Sequence, residues 1–403
     1  MTMPTTAATT GCPFHRRVLP TDGTPLDPSP VLGSWREEGA ATPLHYTDGH
    51  NGWIVTRHEL ARRVLEDPRF SQQPQRIPGE TIPGGPELPY LDDEALAAKR
   101  IANLLFLDGE AHSRVRRILM ARFSVRAARG HQPRIAEIVA RQVSHLREIG
   151  APADLMTDFA APISAATHRL VLGIPDSRAN EFTRLFLAEA PVQERVLFAR
   201  AVIEMKRLDL GEDVLSDLIR SDLSAGEIDW VALVLMISGR DAAAYMMTTS
   251  LLALLRHPDQ LAALREDPQL MGGAVEEFMR YGTMFVALFA RTATEDVQLG
   301  DTRFAAGESV SVSPVAANRD PDRFEDPDSF DITRDAFGHL GFGHGIHGCL
   351  GQQVARIEIR ESVGQLLAAF PSLRLVSAEQ LTPLPFAHPV ATYSAGALIV
   401  EWN

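Results

Sequence analysis

Eleven residues near the C-terminal end, Gly341-Phe342-Gly343-His344-Gly345-Ile346-His347-Gly348-Cys349-Leu350-Gly351, restrict the fold of this 403-residue chain more than any other stretch. Glycines at 341, 343, 345, 348 and 351 permit positive φ and let the backbone approach a flat partner closely. The loop runs into Gln352 to Phe370, rich in helix formers with an apolar face at Val354, Ile357, Val363 and Leu367. Cys349, one of only two cysteines, therefore stands at the mouth of a helix, where free N–H groups and the N-terminal dipole favour a thiolate. One thiolate on a loop too tight for bulky side chains suits an axial metal ligand whose opposite face stays open. Three other readings of the same residues remain: a small buried hydrophobe, a partial zinc site with His344 and His347, or a nucleophile served by a distant histidine.

The pattern Phe-Gly-x-Gly-x-His-x-Cys-Leu-Gly resembles the haem-binding loop of the cytochrome P450 family, whose iron takes a cysteine thiolate. Further segments resemble that family in the expected order. Glu277-Phe278-Met279-Arg280, by itself an ordinary i, i+3 ion-pair spacing, stands where the family carries its Glu-x-x-Arg helix. Ala317-Asn318-Arg319-Asp320-Pro321-Asp322-Arg323-Phe324 resembles the meander whose arginine completes a buried network. By the resemblance that network is Glu277, Arg280 and Arg323, with the buried charges mutually paired beneath the cysteine loop. The cofactor implied is haem b, with Cys349 as axial iron ligand and Phe342 and Gly351 in the binding loop. Its propionates need cationic or hydrogen-bonding partners. His112 and Arg116, i and i+4 on one helix face, match the family's pair for this purpose, and Arg291 and His347 complete the set.

Length alone would allow two or three domains, but no Gly/Ser-rich linker, repeat or long charge block divides the chain. The expectation is one domain over 31–403 after a flexible segment, 1–30, that is Pro/Thr-rich and has no charged-then-apolar signal. Helical spacing recurs from 56–66 to 352–370, including 93–107, 132–148 and 228–255; short β signals fall at Trp53-Ile54-Val55, Ser309 to Val312 and Gly396 to Trp402. This predicts a mainly α (α+β) chain with small sheets, similar in element order to the P450 fold. The longest apolar run, Trp230 to Ile237, is too short to span a bilayer, and two cysteines suit a reducing cytoplasm. A net charge of −13 argues against nucleic acid as a partner. A cytoplasmic monomer acting on a small molecule is the expectation.

Against that acidic background, His112 to Arg129 carries Arg114, Arg116, Arg117, Arg122, Arg126 and Arg129 and no acid. It is either a solvated helix face or a docking patch for an acidic electron donor. The resemblance implies dioxygen as co-substrate and electrons from NAD(P)H through separate proteins, a ferredoxin reductase and a ferredoxin.

Val231 to Leu255 is long and apolar but broken by Ser238-Gly239-Arg240-Asp241-Ala242-Ala243. The resemblance places the family's distal helix here, with a Gly-x-acid-Thr motif that relays protons during oxygen activation. Gly239 and Asp241 match it; Ala242 stands at the threonine position. Thr248 and Thr249 lie roughly 10 Å further along at about 1.5 Å per residue, too far to substitute. Three readings follow: the substrate supplies the missing hydroxyl, water restores the relay, or the protein couples radicals instead of inserting oxygen. Gly150 to Leu155 and Leu172 to Pro175 resemble P450s that oxidise or couple cyclodipeptides, which favours an aromatic cyclodipeptide (diketopiperazine) as substrate. The alternative is monooxygenation of a macrolide, polyketide or terpenoid. By position the pocket wall comprises the loop Ser71 to Leu91, Val234, Ser238, Met284, Phe285, Val286, Leu288, Phe289, Ala391 and Thr392, which core packing would explain equally in part. A zinc hydrolase and a non-catalytic haem protein are the rivals from other classes.

Overall fold

The computed structural model describes residues 17–46, 49–73, 103–187, 190–378, 391–393 and 396–403. The chain opens with α1 (Pro30–Glu38), β1 (Ala41–His45), β2 (Asn51–Val55), α2 (His58–Glu66) and β3 (Phe70–Ser71). Two basic helices follow, α3 (Gly109–Phe123) and α4 (Val125–Ile149), then β4 (Ala153–Asp154) and α5 (Ala161–Leu172). Next come α6 (Ala179–Leu187), α7 (Val192–Leu208), α8 (Val214–Arg220), α9 (Ala225–Ile237), α10 (Arg240–Arg256), α11 (Pro258–Glu266) and α12 (Met271–Tyr281). The short strands β5 (Phe285–Ala287), β6 (Arg291–Ala293), β7 (Val297–Leu299), β8 (Thr302–Phe304) and β9 (Ser309–Val312) lead to α13 (Pro314–Ala317). After the cysteine loop stand α14 (Gln352–Ala369), β10 (Arg374–Ala378), β11 (Ala391–Thr392) and β12 (Leu398–Glu401).

The largest sheet has the order β1-β2-β9-β6-β3, antiparallel except for the parallel β2–β9 pair, in which Trp53 faces Val310. Smaller sheets are β10-β12-β4, β11-β5 and β7-β8. The helical core centres on α10, flanked by α5, α12 and α14, with α4 along the far side of α14. Its fill comes from positions such as Ile135, Val139, Ile163, Met247, Leu251, Phe278, Ile359 and Val363, all essentially without exposure. Each such side chain contributes about 1.5–3 kcal/mol of burial. The mainly helical architecture with small mixed sheets is the one expected.

Three local differences have physical causes. Helix α4 begins at Val125 rather than near 132, because Ser124 caps it by accepting from the Ala127 amide at 3.3 Å; Pro133 is carried inside it. The expected helix 228–255 is two helices, since Ser238 is extended (ψ 146°) and Gly239 takes φ +91°. Only glycine adopts that φ without strain. Residues from Arg17 onward are not a free tail: Leu19 and Leu26 are buried, Arg17 gives its carbonyl to the His45 amide at 2.7 Å, and Leu26 gives its own to Arg319 at 3.1 Å. The expected helix 93–107 lies mostly outside the described residues. Taken through its break, Ala225–Arg256 is long and apolar enough to cross a membrane, yet 67% of its apolar window is buried within the fold.

Glu358 on α14 is buried beside Thr167 of α5, whose hydroxyl lies near its carboxyl, but among the described residues neither Glu358 Oε1 nor Thr167 Oγ1 has a well-aligned hydrogen-bond partner. Burial pushes the Glu358 carboxyl up to about 8. A folded-state pKa above the unfolded value means that the native state keeps a proton the unfolded chain has lost, so stability falls as pH rises from the ordinary glutamate range toward 8. Glu358→Gln removes that loss. Denaturant melts at pH 5 and pH 8 should show the parent losing a few kcal/mol more than the variant between those pH values.

Candidate active site

The cysteine loop is tied by its own backbone: Gly343 N donates to Leu340 O at 2.9 Å, Cys349 N to Phe342 O at 2.8 Å and Gly348 N to Gly345 O at 3.0 Å. Gly345 has φ +71°, and a Cβ there would stand 2.5 Å from the Leu65 carbonyl of α2, so no side chain fits. Cys349 keeps accessible surface but is enclosed by protein on most sides, and that burial pushes its thiol up. The amides of Gly351 and Gln352 and the charges of Arg116 and Arg356 act the other way. Coordination to a metal ion would remove the thiol proton outright.

Sequence reasoning missed the layer beneath the loop. Arg356 of α14 forms a two-pronged pair with Glu276 of α12 at 2.7 and 2.9 Å, and its guanidinium lies 4.5 Å from the Phe342 ring centre. Buried His339 meets the same carboxylate at 3.1 Å. The signal was the spacing of Arg356, seven residues past the cysteine on the following helix.

Above the loop, side chains from four separate segments converge. His112 of α3 is buried, its ring 4.3 Å from that of His347, and among the described residues Nε2 of each imidazole lacks a hydrogen-bond partner. Arg116, one turn along, donates to Gly348 O at 2.6 Å. Arg291, at the start of β6, is 5% exposed, and among the described residues its side chain makes only a long contact of 3.4 Å to Phe70 O. Burial, then the neighbouring His347 and Arg116, lowers His112 to about 4, and burial lowers Arg291 to about 10. Asp108, which the sequence reading did not single out, faces this group. It accepts from Ser71 Oγ at 2.5 Å and from Gln72 N at 3.2 Å, and lies 3.4 Å from His347 Nε2, an ion-pair distance without hydrogen-bond alignment. Burial opposes its ionisation, but the contacts with His347, Ser71 and Gln72 prevail and hold it at about 2. Two imidazole nitrogens without a partner among the described residues, Arg291 beside the Asp108 carboxylate, and Arg116 between His112 and the thiol fit a flat metal-bearing group that carries two carboxylates. Haem is such a group. Among the described residues no cluster of three or more His, Cys, Asp or Glu offers a zinc site.

The buried network is corrected in one member. Arg280 and Glu277 pair at 2.7 and 2.8 Å with no exposure of either side chain. Arg280 also donates to Asn318 O at 2.9 Å, Pro327 O at 2.7 Å and Ser329 O at 3.0 Å. Arg323 does not join them. It sits in an exposed turn, donates to the Phe337 carbonyl and lies over the Phe324 ring. Arg334 comes within 3.6 Å of Glu277 instead, its side chain 12% exposed. The meander's turn at Asp320–Arg323 directs residue 323 outward, whereas Asp331, whose amide donates to Glu277 at 3.0 Å, brings its neighbour Arg334 inward.

On the distal side, Asp241 is paired with the preceding Arg240 at 2.8 Å; the guanidinium is buried while the Asp241 side chain is 71% exposed. Gly239 stands at the break, Ser238 and Ala242 flank it half-buried, and Thr248 turns its hydroxyl to its own helix carbonyls at 3.0 Å. Val234, Met284, Phe285, Leu288 and Phe289 are half-buried, with Phe289 edge-on to Phe106 at 5.7 Å. Ala391 and Thr392 pair with Ala287 and Phe285 across β11 and β5, so the structure brings these two segments together. Val286 is a correction: fully buried in the main core, it presents no surface to a pocket. The loop Ser71 to Leu91 lies outside the described residues beyond 73.

The cytochrome P450 family profile matches residues 176–386. Cytochrome P450 105C1 from Streptomyces sp is 35% identical over 388 residues, covering 93% of this chain and 95% of that protein. The chain belongs to the cytochrome P450 family. Nocardicin C N-oxygenase of Nocardia uniformis subsp. tsuyamanensis is 34% identical, over 90% of this P450 and 93% of the relative. The crystal structure of the LnmA cytochrome P450 hydroxylase from the leinamycin pathway of Streptomyces atroolivaceus superposes with a TM-score of 0.80 at 30% identity, covering 96% of this chain and 100% of that one. Membership makes this P450 an oxidoreductase of the haem-thiolate type that uses dioxygen.

Arg280→Met leaves the Glu277 charge buried with only Arg334 near it and should cost about 3–5 kcal/mol in denaturant melts. Arg323→Ala should cost under about 1 kcal/mol. Equal losses for the two would restore Arg323 to the network.

Proposed function

We propose that this P450 is a monooxygenase of a small hydrophobic secondary metabolite, fed by separate redox proteins. The observation that carries it is the convergence of His112, Arg116, Arg291 and His347 above Cys349. In this reading Cys349 would supply the thiolate to the haem iron and the four side chains would hold the propionates, with Phe342 and Gly351 in the loop around the sulphur. The bound haem supplies the redox chemistry that activates dioxygen. The chain contributes orientation, exclusion of water, and proton handling at Asp241 on the distal side. Two relatives that carry an oxygenase or hydroxylase name support oxygen insertion, and the half-buried Met284, Phe285, Leu288 and Phe289 suit an apolar substrate.

Coupling of an aromatic cyclodipeptide is the second reading, and one observation favours it: alanine at 242, beside an acid already engaged by Arg240. Ala242→Thr separates the two. Under the coupling reading the variant diverts product toward hydroxylated monomer, whereas under the monooxygenase reading the product is unchanged and less peroxide is released. Reduced protein under carbon monoxide should give a thiolate-type carbonyl band that Cys349→Ser abolishes. Product formed only with an electron donor excludes the non-catalytic haem protein.

Electrons would come from NAD(P)H through a ferredoxin reductase and a ferredoxin. The docking patch is smaller than its sequence suggests. Arg114 is engaged by Glu227 at 2.8 Å, Arg122 by Asp217 at 2.6 Å and Arg116 by Gly348. Arg117, Arg126 and Arg129 remain exposed, Arg117 within 3.5 Å of the exposed Glu110 carboxylate, with exposed Met120 and Val125 between them. Reversing these three to glutamate should slow reduction by ferredoxin at least about tenfold at low salt, with the difference shrinking as salt rises. Equal rates for the two proteins would move the donor elsewhere.

A further inference from the structure

At the break between α9 and α10, where Ile237, Gly239 and Asp241 are exposed, two side chains of α5 reach the two half-helices. In a continuous helix the Leu235 carbonyl would go to the amide of Gly239. Here it accepts from His168 Nε2 at 2.8 Å. On the other side of the break, Ser164 Oγ donates to the Arg240 carbonyl at 2.7 Å. Ser164 and His168 are i and i+4, hence on one face of α5, and each reaches a different half-helix. Burial lowers His168 to about 4, so its ring is neutral at pH 7, and the contact with a carbonyl places the proton on Nε2. The ring is held between Phe182 of α6, 5.9 Å away and near-parallel, and Gly239, where an added Cβ would stand 3.7 Å from Cε1.

We propose that His168 and Ser164 are positioning residues for the distal site: from α5 they keep α9 and α10 apart and thereby fix where Asp241 stands. Asp241 is the second residue of α10, so its direction follows from how that helix starts. Were the two helices fused through Gly239, Ser238 and Asp241 would be held in helical register, and the relation between hydroxyl and carboxylate would change. The relation matters because residue 242 has no alcohol to offer. The functional part rests on the monooxygenase reading; the structural part does not.

The test uses full-length, haem-loaded protein carrying His168→Leu, His168→Gln or Ser164→Ala. Leucine removes the donor, whereas glutamine retains an N–H able to reach the same carbonyl. Three readouts apply: hydrogen exchange of amides 236–243, the C–O stretching frequency of the ferrous carbonyl complex, and the ratio of peroxide released to product formed. His168→Leu should speed exchange about tenfold or more, displace the stretching frequency and raise the peroxide ratio; His168→Gln should stay within about twofold of the parent. If His168→Leu does not accumulate, Ser164→Ala, which loses only a hydroxyl, should move exchange by about threefold and shift the stretch in the same direction. Strong protection of the Gly239 amide in the parent would show a continuous helix and overturn the proposal. So would unchanged exchange and stretch in His168→Leu, or equal damage from leucine and glutamine. Exchange and stretch moving as expected in a protein that makes no oxygenated product would leave the positioning role standing and defeat the monooxygenase reading.

Discussion

A fully buried arginine and glutamate form the joint on which the proximal half of this P450 hangs. Taking both charges out of water is unfavourable unless every remaining donor and acceptor is satisfied. Arg280 meets that condition with carbonyls of residues 318, 327 and 329, and Glu277 with the amide of Asp331. The same joint reaches the cysteine loop in one step: Asn318 donates to Arg280 O at 3.2 Å and accepts from the Leu340 amide at 2.7 Å. Helix α12, the meander and the loop around Cys349 therefore form one hydrogen-bonded body. A second carboxylate, Glu276, fastens α14 to it through Arg356.

Much of this was legible in the sequence. The loop pattern, the Glu277–Arg280 spacing and the His112–Arg116 spacing are local, and local periodicity decides which faces meet. What was not legible depended on chain direction over longer distances. Arg323 and Arg334 lie in one irregular stretch, and only the turns between them decide which one faces Glu277. Asp108 went unremarked because its partners, in β3 and at His347, come to it from 37 and 239 residues away in the chain. The polar interruption Ser238-Gly239-Arg240-Asp241 was visible between 228 and 255, but the helical spacing on either side of it fits one helix as well as two. Gly239 was the visible sign, and its φ gave it meaning.

The distal side is built differently from the proximal side. Where charged groups under the cysteine are paired and rigidly placed, the break leaves an exposed carboxylate, a half-buried serine and an alanine where the family pattern has an alcohol. Polar residues of α5 hold this interruption from behind, so that helix contributes to the shape of the distal wall without lying in it.

The engagement of Arg114 and Arg122 by carboxylates, and of Arg116 by the Gly348 carbonyl, bears on the time a visiting protein would spend on this surface. Long-range attraction grows with the number of outward charges and governs encounter, while close, dry contacts govern departure. If the proposed donor docks here, three outward arginines around two exposed apolar side chains would recruit it quickly and retain it briefly. Such a donor, having to arrive, discharge and leave more than once per catalytic cycle, would be served by brief residence, and the arginines already engaged within the protein would keep that residence short.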